Sequence, residues 1–119
     1  MEKNNLGSWG EERAARYLRL RAYRILEKNY RCRLGEIDLI ARRGGYLVFV
    51  EVKLRKSDRF GTAREFVNRA KQERILATAQ LWLQEHETEL QPRFDVIEIY
   101  APEGPDGKVT INHIENAFM

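Results

Sequence analysis

The stretch Glu36-Ile37-Asp38-Leu39-Ile40-Ala41-Arg42-Arg43-Gly44-Gly45-Tyr46-Leu47-Val48-Phe49-Val50-Glu51-Val52-Lys53 decides the fold. Two runs of strand-forming residues flank a Gly-Gly pair, which is the signature of a β-hairpin. With Gly44-Gly45 as a two-residue turn, Arg43 faces Tyr46. Continuing the pairing sets Asp38 opposite Glu51 and Glu36 opposite Lys53. Side chains alternate along each strand, and opposed residues share a face. One face therefore carries Ile37, Leu39, Ala41, Val48, Val50 and Val52; it is wholly apolar and belongs in a core. The other carries Glu36, Asp38, Ile40, Phe49, Glu51 and Lys53, apolar near the turn and ionic at the far end. A one-residue change in the turn would shift every pair, so this register is an expectation.

Glu36 opposite Lys53 is an ordinary cross-strand ion pair. Asp38 opposite Glu51 is not, because facing like charges destabilise a hairpin by up to about 1 kcal/mol. A bound divalent cation would offset the repulsion, since paired carboxylates suit a hard, oxygen-liganded ion such as Mg²⁺. Shared protonation or neighbouring arginines would offset it too.

Outward from the hairpin, Ser8-Trp9-Gly10-Glu11 has capping-box spacing at the start of a helix. Ala14, Ala15, Leu18 and Ala22 form its apolar stripe, with Arg13, Arg16 and Arg19 off it. Glu11 falls on that stripe, one turn earlier, and a carboxylate on the inward side of a helix needs a reason. A strand is expected from Arg24 to Arg33, with a turn at Leu34-Gly35. A basic loop from Leu54 to Gly61 follows the hairpin. A long helix lies within Thr62 to Glu87, with a break near Val67 to Arg69; its stripe is Ile75, Leu76, Ala79, Trp82 and Leu83. Pro92 precedes a strand from Arg93 to Tyr100, and a last strand lies near Lys108 to Ile114. The order α-β-β-β-α-β-β predicts an α/β domain with a mixed β-sheet flanked by helices.

A chain of 119 residues accommodates a single domain, 1–119. Hydrophobic residues make up 43%, enough for a core, and charged residues 33%. No apolar run approaches the roughly 20 residues that span a bilayer. The start, Met1 to Gly7, has no apolar signal core, and the lone Cys32 has no internal disulfide partner. The expected location is the cytoplasm, with no membrane partner. A net charge of +3 with an isoelectric point near 9.2 permits nucleic-acid binding without demonstrating it. Arg31, Arg33, Arg42, Arg43, Lys53, Arg55, Lys56, Arg59 and Arg64 crowd the first half, whereas Gln84 to Leu90 is acidic.

An Asp on one strand and Glu-x-Lys on the next resemble the PD-(D/E)xK nucleases, which share the restriction-endonuclease-like fold. More closely, the chain resembles the YraN-like family of small bacterial proteins, related to archaeal Holliday-junction resolvases. The resemblance rests on Gly10-Glu11 with Ala14-Ala15, Asn29-x-Arg31, Gly35-Glu36-Ile37-Asp38-Leu39-Ile40-Ala41 and Phe49-Val50-Glu51-Val52-Lys53-x-Arg55. Phe60-Gly61, Lys71 with Arg74-Ile75, Arg93-Phe94-Asp95 and Asn116-Ala117-Phe118 complete an ordered set that spans nearly the whole chain. Ile37 stands where the superfamily name has proline, and Ala22 where a glycine is expected before Tyr23.

That resemblance implies a three-layer restriction-endonuclease-like core and a Mg²⁺- or Mn²⁺-dependent endonuclease acting on DNA, branched or single-stranded. Asp38, Glu51 and the Val52 carbonyl would hold the metal. Lys53, on the face of Glu51, would orient the attacking water or stabilise transition-state charge. Glu11 is either the helix cap of Ser8 or, as the resolvases suggest, a further carboxylate at the metal. Glu36 is a candidate to hold Lys53. Lys71 points either toward the site or to water. Arg31, Arg33, Arg55, Lys56, Arg59 and Lys71 are the candidate nucleic-acid contacts, and junction cleavage would call for a homodimer. The competing readings are a catalytically silent nucleic-acid-binding module and a dimeric scaffold. His86 and His113 lie apart and read as structural or surface residues, and Cys32 as a strand residue. Trp9, Tyr30 and Trp82 read as packing. Asp95 with Arg93 reads as a local ion pair.

Overall fold

The computed structural model describes residues 3–55 and 68–118. Helix α1 (Lys3–Leu20) leads into strands β1 (Arg24–Cys32), β2 (Gly35–Arg43) and β3 (Tyr46–Arg55). Helix α2 (Arg69–Glu85) and strands β4 (Gln91–Tyr100) and β5 (Thr110–Ile114) follow, so the expected element order is found. The five strands form one sheet in sequence order. Only the β3–β4 pair is parallel. A parallel neighbour needs a crossover connection, and α2 lies within it. Among the described residues, no helix is long and apolar enough to cross a membrane.

Alternation in the strands gives the sheet two apolar faces, and each takes one of the two described helices. Ala14, Ala15 and Leu18 of α1 pack with Leu39, Ala41, Val48, Val50, Ile97 and Ile99. The two alanines let the helix lie close to the strands. On the opposite face Ile75, Ala79 and Trp82 of α2 pack with Ile40, Leu47, Phe49, Phe94 and Val96. Phe49 stacks on Phe94 with ring centroids 5.2 Å apart, and Trp82 meets its edge at 6.1 Å. The α2 stripe is thus the expected one, with Leu76 and Leu83 half-buried at the margin and Thr78 added, and the α1 stripe is the expected one apart from Ala22.

Three expectations are corrected. α1 begins at Lys3, so Ser8 lies inside the helix and is not its cap. Ala22 is exposed and not on the stripe: it follows the helix at φ 68°, where the Tyr23 and Ala22 amides donate to the Leu18 and Arg19 carbonyls. This is a left-handed helix terminus of the kind that favours glycine. Ile37, placed with Leu39 and Ala41, packs instead under α2 with Ile40 and Tyr30. The alternation of β2 thus breaks at Asp38, between Ile37 and Leu39. Opposite it on β1, between the Lys28↔Leu39 and Tyr30↔Ile37 pairs, Asn29 sits at φ 52°, a left-handed conformation tolerable for Asn.

Candidate functional site

The β2–β3 ladder has the expected register, with Arg43↔Tyr46, Arg42↔Leu47, Ala41↔Val48, Ile40↔Phe49 and Leu39↔Val50. It ends there, one step before the Asp38–Glu51 and Glu36–Lys53 rungs that a full hairpin would form. Instead, the Val52 amide donates to Asp38 Oδ2 at 2.8 Å. The Asp38 side chain takes a backbone donor, and the two strands part where the charges gather. Glu36 is not held against Lys53: it pairs across β1–β2 with Arg31, Nε to Oε2 at 3.4 Å.

The parted strand ends open a cleft of about 350 Å³ lined by Gly35, Glu36, Asp38, Glu51, Lys71, Arg74 and Ile75. α1 delivers Glu11 to its margin. Gly10 makes this possible, because a Cβ there would come within 3.1 Å of Leu54 on β3. Carboxylate oxygens of Glu11, Glu36 and Asp38 all lie within 4.8 Å of one another. Burial, followed by the charge of Glu51, pushes the Asp38 carboxyl up to about 8. The Val52 amide opposes that rise, and Glu11 and Glu36 add to it.

α2 brings cations to the same cleft. Asn68 caps the helix, its side chain accepting from the Lys71 amide at 2.8 Å. Lys71, in the first turn, donates through Nζ to Glu51 Oε1 at 3.0 Å. Of the two directions open to this side chain, the cleft is the one taken. Burial alone would pull the Lys71 ammonium down, but the charge and hydrogen bond of Glu51 outweigh it and hold the group above the usual lysine range. Lys53 goes the other way: burial, then the bond to Lys71 and its charge, lower it against the pull of Glu51 and Asp38.

The structure thus brings together Asp38, Glu51, Lys53, Glu11 and Lys71 of the sequence-derived candidates. Arg31 reaches the margin through Glu36, and Arg33 is exposed in the β1–β2 turn. Arg55 faces buried Glu98, Nε to Oε2 at 3.9 Å. Lys56 and Arg59 lie outside the described residues. Two further residues line the cleft. The hairpin register pairs Glu36 with Lys53, and the break in alternation that sets it near Glu11 instead has no simple sequence pattern. Arg74 lies three residues after Lys71, on the same helix face, a spacing that is legible in the sequence.

A second polar cluster lies in the sheet away from the cleft. Buried Asp95 accepts from Arg93 at 3.0 and 2.9 Å and from the Asn116 amide at 3.0 Å. It also lies 2.7 Å from His113 Nε2, and His113 Nδ1 lies 3.2 Å from the Tyr17 hydroxyl. Both the ion pair and the structural role of His113 are as the sequence suggested.

The sequence profile described as Uncharacterised protein family UPF0102 matches residues 10–99, which include every described residue of the cleft. A UPF0102 protein of Caldanaerobacter subterraneus subsp. tengcongensis is 45% identical over 119 residues, 99% of this chain and 98% of its own. One of Symbiobacterium thermophilum is 49% identical over 114 residues, 95% of each chain, and one of Nitrosomonas europaea 46% over 114, 96% and 93%. With a family match over most of its length and relatives of this identity from end to end, the chain belongs to the UPF0102, or YraN-like, family.

Proposed function

We propose that this protein is a divalent-metal-dependent endonuclease of the PD-(D/E)xK type, hydrolysing phosphodiester bonds in DNA. The observation that carries the reading is the meeting of Glu11, Glu36 and Asp38 within 4.8 Å, beside buried Glu51 and two lysines. A fold needs no such concentration of carboxylates, and without a counterion it is costly. The donor set fits Mg²⁺ or Mn²⁺, which prefer oxygen ligands. Asp38, Glu11 and Glu36 would hold the ion, with Glu51 and the Val52 carbonyl as neighbouring ligands. Bound there, it supplies Lewis acidity at a phosphate oxygen and a water of lowered pKa.

Lys53, held below the usual lysine range, is suited to exchange a proton with the attacking water or to neutralise charge at a phosphate oxygen. Arg74 in the cleft and Arg31 at its margin are placed to meet the flanking phosphates, which makes binding salt-dependent.

The test is incubation of purified protein with labelled four-way junction, flap, duplex and single-stranded DNA, and RNA, in Mg²⁺ or Mn²⁺. Asp38→Ala and Lys53→Ala run beside it and are expected to lose at least about a hundredfold in rate. Cleavage that persists in both variants would overturn the site. Salt-sensitive DNA binding without cleavage of any substrate would establish the silent binding module instead. Symmetric cutting of a junction also predicts a homodimer, read by light scattering.

A further inference from the structure

We propose that Lys71 is a built-in counterion for Glu51, which a divalent cation must displace before Glu51 can serve as a ligand. This rests on the metal-dependent reading above and assigns a regulator of that same site. Glu11, Glu36 and Asp38 are already within ligand distance of one another. Glu51 stands outside that trio, close enough for its charge to act on Asp38 but bonded to Lys71 at 3.0 Å. Its side chain is only 10% exposed, and a carboxylate so enclosed requires a partner. Lys71 is built to be that partner. The Asn68 cap fixes the first turn of α2, and Ile75, one turn on, is buried against the sheet.

Lys71 is also built to leave. Its side chain is 30% exposed, so the ammonium can turn to solvent without crossing the core. In the metal-free protein Lys71 therefore neutralises Glu51 beside the carboxylate trio. Metal loading exchanges one cation for another at Glu51 and frees an ammonium at the cleft wall. Cation affinity then contains a fixed competition between Lys71 and the ion, and the coupling is reciprocal.

Calorimetric titration with Mn²⁺ of the wild type, Lys71→Gln, Lys71→Arg and Lys53→Gln tests this. Lys53→Gln removes a charge from the same cleft without removing the Glu51 contact, so it measures the general electrostatic gain. Lys71→Gln is expected to bind Mn²⁺ about fivefold tighter than Lys53→Gln, and Lys71→Arg close to the wild type. Metal-free Lys71→Gln should also melt below the wild type and recover more on adding Mn²⁺; Lys71→Met serves equally if the glutamine variant folds poorly. Equal gains in Lys53→Gln and Lys71→Gln, or no gain in Lys71→Gln, overturn the exchange while leaving the metal centre standing. Absence of Mn²⁺ binding in every protein overturns the metal centre and the exchange with it.

Discussion

Asp38 concentrates the chemistry of the cleft in one side chain. Burial and the Glu51 charge raise its folded pKa to about 8, against about 3.9 for an unfolded aspartate. The folded state therefore binds the proton more tightly. The stability this contributes is full below about pH 4 and is lost as pH rises to about 8. A cation that needs the carboxylate reverses the preference and expels the proton. In EDTA, wild-type melting temperature should fall between about pH 5 and pH 8.5 relative to Asp38→Asn, which has no such proton to lose. Parallel profiles would show that Asp38 titrates normally. Mn²⁺ binding near pH 7 should release protons, measured as a dependence of the calorimetric heat on buffer ionisation enthalpy.

Around that residue the β2–β3 ladder stops at Leu39↔Val50, α2 contributes its first turn and α1 sends Glu11 from the middle of its length. Two substitutions probe the neighbouring element ends. Ala22 occupies a left-handed terminus at φ 68°, so Ala22→Gly should stabilise by about 1 kcal/mol, seen as a higher urea midpoint with unchanged slope. Gly35 lies where a Cβ would stand 2.9 Å from the Thr78 hydroxyl, which itself donates to the Arg74 carbonyl at 2.7 Å. Gly35→Ala should push β2 and α2 apart, costing about 1–3 kcal/mol in the same assay. It should also weaken Mn²⁺ binding, because Asp38 and Lys71 ride on those two elements. Unchanged stability would mean that the cleft wall yields freely.

At the scale of the molecule, the Asp95 network ties α1 to β4 and β5 through Tyr17, His113 and Arg93, none of which lines the cleft. Burial would lift Asp95, but the bonds from His113, Arg93 and the Asn116 amide hold it below the usual range. Its contribution is thus present above about pH 4 and is lost as pH falls through the lowered folded value, opposite in sign to that of Asp38. Asp95→Asn leaves half-buried Arg93 without its carboxylate and should cost about 3 kcal/mol by chemical denaturation. The same variant should leave Mn²⁺ affinity unchanged, which separates the network from the site. The sequence alone determined the element order, the hairpin register and the apolar faces of both helices, because each follows from a local period or a two-residue turn. It also singled out Asp38, Glu51 and Lys53, since facing carboxylates stand out against an apolar strand. Only the tertiary structure decided that the ladder parts before Asp38, that Glu36 joins Glu11, and that Glu51 belongs to Lys71. Those outcomes depend on contacts between separate elements, as with a helix 20 residues away in sequence from Glu51, where long-range packing rather than periodicity selects the partner.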